Sequence, residues 1–413
     1  ITTTNDNITF TRAVTLGGDV ALDTGSAAGA ILFSSTVVGT SDDDLTLNSG
    51  TGTIAVTGAI GASSEIGTLT VTQSGGAIFT GAVTAATSVV LTDTTDDADI
   101  EFTGALVTPT LTTAGEQYDL ELLGSGTIIT NAVTFINTGT LTLGNAAADT
   151  LLFNGGLVVL VPTALTLNGK VQSSGDVISL GDSNTGVTLA GTTSIIDTTL
   201  GSTTAGAAIT VAGAVVGSSG NTQSLTLDAG TGGAVSFTST IGAATSIKTL
   251  TVTNSNDVTI TSTFVSASFT QTAGSGTTDF GTNSLTSTGD VTVTTTSSIT
   301  GTITADSASL TAGEITGSVF IDGTLTLNAS IVILGNNSSV GGFNVPAESI
   351  ILTKVGTTGP FTFNGKLIGV DERLSDLDPV VLPEPKLSES SGPATWKHDP
   401  RGPRPAPDPQ AGR

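Results

Sequence analysis

Two stretches of the chain match each other and decide the fold. LTLNSGTG at 45–52 leads into IGASSEIGTLTVT at 60–72, and LTLDAGTG at 225–232 leads into IGAATSIKTLTVT at 241–253. One residue has been inserted between the two blocks in the later copy. Each block alternates Leu, Ile or Val with Thr and is bounded by Gly, Asn, Asp or Ser, which is typical of short strands with one apolar face.

The tripeptide Leu-Thr-Leu extends this repeat along the chain. Neighbouring copies and their close variants lie mostly 16 to 25 residues apart, and the identical copies fall at 45–47, 141–143, 165–167, 225–227 and 325–327. A unit of this size cannot bury its apolar face alone, whereas stacked units shelter one another. The repeat therefore predicts an all-β parallel β-helix, or β-solenoid, with roughly 17 coils of about 22 residues.

The residues that follow the tripeptide indicate how each strand ends. Asn48, Asn168 and Asn328 follow three copies, Asp228 follows a fourth and Gly144 a fifth. These residue types tolerate a left-handed backbone, so we expect them at the corners of the coil in that conformation. Stacked Asn side chains could also form hydrogen bonds from coil to coil.

An array of immunoglobulin-like sandwiches is the alternative architecture. It would require a period of about 90 to 100 residues and a core Trp or a conserved Tyr corner. The first 370 residues contain one tyrosine, Tyr118, and no tryptophan. The solenoid is therefore the preferred prediction.

The sequence divides into three parts. We assign 1–342 to the solenoid, 343–370 to a terminal coil or cap, and 371–413 to an extended or disordered tail rich in proline. Nine of the thirteen prolines fall in the tail, together with Trp396 and His398. Proline lacks the N–H donor that a strand ladder needs, so the tail cannot continue the sheet.

Charge and composition limit the classes of partner. The net charge is −24, and residues 1–370 hold five basic side chains against 27 acidic ones. Such a surface cannot neutralise phosphates, so we expect neither nucleic acid nor anionic lipid as a partner. The longest apolar stretch, 157–161, is far too short for membrane insertion. A chain that starts at Ile1 without a basic or apolar leader predicts a processed form or a fragment.

Acidic clusters are the weak candidates for a metal site. Carboxylate oxygens suit Ca²⁺, and two groups of them occur close together in the sequence. No cofactor is predicted, and weakly bound Ca²⁺ is the one cation considered. The candidate ligands are Asp42, Asp43, Asp44, Asp96, Asp97 and Asp99.

No catalytic residue is predicted, and we expect that the chain is not an enzyme. The chain has no Cys, and His398 is its single histidine and lies in the tail, so neither a thiol nucleophile nor a Ser-His-Asp triad is available in the body. Polysaccharide cleavage by a carboxylate pair such as Asp96 and Asp97 is the enzymatic alternative. Basic residues are widely scattered and aromatic platforms nearly missing in the sequence, which disfavours it.

Threonine runs suggest a third function. Residues 68–72, 249–253 and 259–261 place Thr on one face of a strand. Flat ranks of this kind would suit an ice-binding or glycan-binding solenoid. The spacing between the Thr-rich strands varies, however, so the sequence leaves their alignment from coil to coil open.

Three segments resemble the repeats of large bacterial surface proteins of the filamentous-haemagglutinin and autotransporter-adhesin type. They are LTLNSGTGTIAVTGAIG at 45–61, GTLTVTQSGGAIFTGAVTAATSVVLT at 67–92 and GTLTLNASIVILG at 323–335. The resemblance implies a right-handed β-helix that is extracellular or on the bacterial cell surface, and it marks no functional residues within the repeats.

From these observations we expect an acidic structural or adhesive repeat protein that presents a rigid rod. Its expected partners are further copies of itself, assembled into a fibre, sheath or layer, and glycans or other cell-surface components.

Overall fold

The structure, a computed structural model, consists of β-strands. It describes residues 1–95, 97–200, 204–282 and 285–329, and the backbone of the strand residues 331–334, 339–344 and 362–363. Every regular element in these ranges is a strand, and none is a helix. The predicted all-β class is therefore confirmed. The predicted cap at 343–370 and the tail at 371–413 lie outside the described residues, except for 343–344 and 362–363.

The strands are short and follow one another closely. The first nineteen are β1 Ile8–Phe10, β2 Val14–Thr15, β3 Val20–Asp23, β4 Ile31–Phe33, β5 Val37–Val38, β6 Leu45–Asn48, β7 Ile54–Val56, β8 Ile66–Gln73, β9 Ala77–Phe79, β10 Val83–Leu91, β11 Ala98–Phe102, β12 Leu106–Thr108, β13 Thr110–Thr113, β14 Tyr118–Leu122, β15 Thr127–Ile129, β16 Val133–Phe135, β17 Thr140–Leu143, β18 Thr150–Phe153 and β19 Leu157–Val159.

Strands that run around a corner of the coil, such as β10, are longer. Nineteen more strands follow β19. They are β20 Ala164–Gln172, β21 Ile178–Leu180, β22 Gly186–Asp197, β23 Ile209–Val211, β24 Val215–Gly217, β25 Ser224–Asp228, β26 Val235–Phe237, β27 Ile247–Asn254, β28 Val258–Ile260, β29 Phe264–Gln271, β30 Thr278–Asp279, β31 Leu285–Ser287, β32 Val291–Thr294, β33 Ser298–Ala305, β34 Ala308–Thr311, β35 Glu314–Asn328, β36 Ile331–Leu334, β37 Ser339–Asn344 and β38 Thr362–Phe363.

These strands pair in parallel with the strands of the next turn and form three faces. Face 1 starts with β1, β4 and β7, face 2 with β2 and β5, and face 3 with β3, β6 and β8. On face 1, Ile8 lies under Ile31, and Ile31 under Ile54. The chain thus winds as a β-solenoid of about 13 turns, which confirms the predicted fold.

The number of turns is smaller than the roughly 17 expected for 370 residues. The described turns end near residue 329, and their length is not constant. Each early turn on face 1 takes 23 residues, as from Ile8 to Ile31. A middle turn runs from Val187 to Val215, and a late one from Ile303 to Val319. Extra residues are accommodated at the corners, so the strands stay in register.

The inward side chains build one continuous core. In β6 the two Leu residues are buried while Thr46 and Asn48 point outward, as the alternation predicts. Aromatic rings stack between turns, with ring centroids 4.8 Å apart for Phe79 and Phe102. Because each fully buried Leu, Ile, Val or Phe contributes about 1.5 to 3 kcal/mol, stacking supplies the stability that a single turn lacks.

The corner conformation differs from the prediction at most of these sites. Gly144 is left-handed, with φ 76°, but Asn48 and Asp228 are not. Their side-chain oxygens instead accept a hydrogen bond from the backbone N–H two residues later, at 3.2 Å from Gly50 and 3.0 Å from Gly230. Those glycines adopt the positive φ. The polar residue therefore forms an Asx turn that presents a glycine to the left-handed position.

The two matching sequence blocks lie on different faces. Leu45 pairs with Leu69 on face 3, whereas Leu225 pairs with Leu250 on face 2. The identical copies of Leu-Thr-Leu lie on face 3 in β6, on face 1 in β17 and β20, and on face 2 in β25 and β35. The repeat has thus moved by one face twice, so all three faces can accept the same strand pattern.

Tyr118 marks the first of these two shifts. Between β13 and β16 on face 3, the N–H of Ile136 donates to the side-chain oxygen of Thr113. Tyr118 begins β14, and its ring is fully buried. Its hydroxyl accepts a hydrogen bond from the N–H of Ala114 and donates one to the carbonyl of Leu91. Burial raises the pKa of Tyr118 to about 12. The one tyrosine of the chain is therefore a structural residue.

Gly61 provides a test of the corner geometry. It has φ 74°, and a Cβ there would overlap the carbonyl oxygen of Thr84 in the next turn. We expect Gly61→Ala to lower the free energy of unfolding by about 1 to 3 kcal/mol. Gly17→Ala is the control, since a Cβ at Gly17 meets no atom within 4 Å. Urea denaturation followed by circular dichroism measures both, and equal stabilities would refute the proposed constraint.

Candidate functional site

The outward positions of face 2 form a row of hydroxyl groups. From β25 to the end of β35, the central outward residues of successive turns are Thr226, Thr251, Thr270, Thr292, Ser309 and Thr326, here called the hydroxyl ladder. Neighbouring rows lie about 4.8 Å apart, the spacing of strands in a sheet. The sequence left this alignment open, and the structure resolves it because length differences between turns are taken up at the corners.

The hydroxyl ladder is not used to hold the fold together. Within the described part of the chain, none of its six hydroxyl groups forms a hydrogen bond to protein. Beside the ladder, Thr249 and Ser268 do bond to each other at 2.9 Å. The six hydroxyls are consequently free to bind water or a ligand.

A second row, on face 1, consists of carboxylates. Asp99 pairs in register with Asp119, and Glu101 with Glu121, so that β11 and β14 present four acids side by side; we call them the carboxylate ladder. Sequence reasoning included Asp99 but missed its partners on the next turn. The signal was available, because ADIEF at 98–102 and YDLEL at 118–122 share the acidic alternation one turn apart.

Crowding of these acids changes their ionisation. The pKa of Asp99 is raised by partial burial and then by the charges of Asp119 and Glu101. The pKa of Glu121 is raised by partial burial and by the same group of charges. Asp119 also accepts a hydrogen bond from the N–H of Thr140 at 2.6 Å. The carboxylate ladder is therefore a strip of repelling charge on face 1.

The first group of predicted metal ligands does not converge. The Asp43 side chain is buried, and its Oδ2 accepts hydrogen bonds from the N–H and hydroxyl of Thr40 and the N–H of Ser41, which lower its pKa. Asp44 accepts the N–H of Thr68 in the next turn at 2.6 Å. Asp42 is exposed and has φ 51°. Asp43 and Asp44 thus serve the corner and the neighbouring turn.

The second group is divided in a similar way. Asp97 accepts a hydrogen bond from the side chain of Gln117 at 2.7 Å, and Asp99 belongs to the carboxylate ladder. Asp96 lies outside the described residues. Among the residues whose positions are described, no three acidic, His or Cys side chains are arranged to hold a metal ion. Weak Ca²⁺ binding stays a prediction.

A third polar group lies on face 2 where the repeat shifts for the second time. Lys170 Nζ is 3.9 Å from Asp197 Oδ2, which also accepts a hydrogen bond from Gln172. Asp228 pairs with Asp197 on the next turn, and its pKa is raised mainly by burial. The other oxygen of Asp197 accepts the N–H and hydroxyl of Thr199. Both carboxylate oxygens of Asp197 thus accept hydrogen bonds from neighbouring groups of the protein.

Comparison with known proteins finds no matching family model, curated protein or solved structure. In the described ranges there is no helix of the length and apolarity needed to cross a membrane. The outward faces, with the hydroxyl ladder and the carboxylate ladder, are therefore the features on which a function can be argued.

The pH dependence of stability tests the charge repulsion within the carboxylate ladder. The pKa of Glu121 is higher in the folded chain than in the unfolded chain, so its ionisation lowers stability as pH rises through that range, and the loss is complete at neutral pH. We expect Glu121→Gln to raise the melting temperature at pH 7, by an amount equivalent to a few tenths of a kcal/mol because the site is partly solvated.

The same gain should shrink towards zero near about pH 3, where the carboxyl is protonated in both states. Glu116→Gln, at an exposed position before β14, is the control and should change little at either pH. Thermal denaturation at both pH values measures the difference. A gain for Glu121→Gln that did not depend on pH would contradict charge repulsion as its cause.

Proposed function

We propose that the chain is a structural and adhesive part of an extracellular bacterial surface protein. One observation carries the proposal: outward side chains of successive turns are held in register, and the hydroxyl ladder on face 2 and the carboxylate ladder on face 1 are rows of one chemistry. Such rows suit multivalent contact with another regular surface. The fold supports the role because stacked turns need no disulfide or metal, and the chain has no cysteine.

In this role the solenoid acts as a rigid element and associates with further copies in a fibre, sheath or layer. The location at the cell surface rests on the resemblance of segments such as 45–61 to bacterial adhesin repeats. The acidic surface supports solubility and disfavours nucleic acid and anionic lipid as partners. Glycans and other cell-surface molecules are the second class of partner.

Electron microscopy and sedimentation at increasing salt test this function. With a net charge of −24, copies repel one another at low ionic strength, and salt screens that repulsion. We expect particles that sediment alone in about 10 mM NaCl and ordered fibres or sheets in about 500 mM NaCl. A chain that stayed monomeric at every salt concentration and released sugars from a polysaccharide would contradict the structural role.

The hydroxyl ladder favours a second candidate function, which is binding of ice or of a neutral glycan. Six uncommitted hydroxyl groups on consecutive turns form a regular, uncharged row. A row of this kind matches a ligand that repeats its own hydroxyl groups at a fixed interval. This activity would be a form of adhesion and is compatible with the structural role.

Replacement of one residue in the ladder distinguishes this function. Thr270→Tyr inserts a bulky ring into the row, whereas Thr84→Tyr alters an outward position of face 2 that lies outside the ladder. We expect the first variant to lose most ice recrystallisation inhibition or retention on neutral polysaccharide, and the second to keep it. An unmodified chain without either activity would refute the second candidate.

A further inference from the structure

Exposed aliphatic side chains are concentrated on one part of face 3. Among the residues that the structure describes, seven large apolar side chains are exposed, and four of them lie there: Ile136 at 39%, Leu160 at 43%, Val161 at 44% and Val177 at 49%. They flank β16, β19 and β21, which are successive turns of this face. Val158, the central outward residue of β19, lies among these turns and is partly exposed. These five residues are here called the apolar patch.

The alternation of the strands excludes these residues from the core. In β19 the side chains of Leu157 and Val159 are buried, so Val158 and Leu160 must point outward. At the corresponding positions of neighbouring turns the chain places Thr134 and Ser179. Exposed apolar side chains gathered on neighbouring turns of an otherwise polar surface are typical of a contact with another molecule.

Charge indicates which molecule this is. The six face 3 strands β16, β19, β21, β23, β26 and β28 contain no acidic or basic residue. Face 1 carries the carboxylate ladder, and face 2 carries Asp197 and Asp228. Two copies with a net charge of −24 that met through face 1 or face 2 would bring carboxylates together. Contact through face 3 reduces that repulsion, although the exposed Asp176 precedes Val177 and Asp182 follows β21.

We propose that the apolar patch binds the same patch of a second copy of the chain. The contact is isologous, because a two-fold axis through Val158 places each patch on its counterpart. This inference rests on the proposed self-assembly and assigns a surface to it. The patch is small, so the pair is expected to be weak and reversible, and to become tighter as salt screens the remaining acids.

Cysteine cross-linking tests the assignment directly, because the chain has no thiol of its own. In the full chain, Val158→Cys places one thiol at the centre of the proposed contact. Ile78→Cys on face 1 is the matched control, since Ile78 is 45% exposed. A short bis-maleimide should give at least about tenfold more covalent dimer with Val158→Cys than with Ile78→Cys. Equal yields would overturn the assignment.

Sedimentation velocity of Leu160→Asp against Ile78→Asp supplies the second measurement. Both substitutions put a charge on an exposed strand-flanking or strand position, and circular dichroism verifies that both variants fold. We expect the dimer to disappear with Leu160→Asp and to persist with Ile78→Asp.

The outcomes separate this inference from the function on which it rests. If Leu160→Asp still assembles like the unmodified chain, self-association is upheld and the apolar patch is not its surface. If the unmodified chain is monomeric at every salt and protein concentration, both are overturned. If only Leu160→Asp fails to assemble, both are supported.

Discussion

The structure depends on one interaction, the parallel pairing of each turn with the next. Backbone hydrogen bonds join the strands of successive turns, and the same stacking covers the apolar side of each turn with that of its neighbour. Leu45 over Leu69 and Leu225 over Leu250 show the arrangement in both sequence blocks. Since no turn has a core of its own, hydrogen bonding and burial are gained together as turns are added.

This constraint acts on the strands and leaves the corners free. Corners absorb the difference between short and long turns, and they hold their shape through local means such as the Asx turn of Asn48 and the left-handed Gly50. Polar residues are even tolerated inside the stack, where Gln271 occupies a core position between Val252 and Val293 and accepts a hydrogen bond from Thr278. The regular rows outside follow from the same register.

The fold could be predicted from the sequence because its cause is local. Alternation in residues such as Leu45, Thr46 and Leu47 fixes which side chains are buried, and repetition at about one turn implies stacking. The hydroxyl ladder and the carboxylate ladder could not be predicted in full, since they join residues whose separation depends on corner length. The shared acidic alternation of 98–102 and 118–122 indicated neighbouring acids, but the pairing of Glu101 with Glu121 needed the actual register. The apolar stretch at 157–161 was visible, but not which of its residues point outward.

The shift of the sequence repeat from face to face has a consequence for how such a gene can grow. The two matching blocks occupy different faces and yet keep equivalent pairings. An intragenic duplication therefore needs only to end at a strand boundary, and it need not contain a whole number of turns. Unequal recombination between the gene segments that encode Leu-Thr-Leu can then lengthen or shorten the protein while its strands stay paired in register. In the resulting proteins the same strand sequence can lie on a different face of the solenoid and contact different molecules.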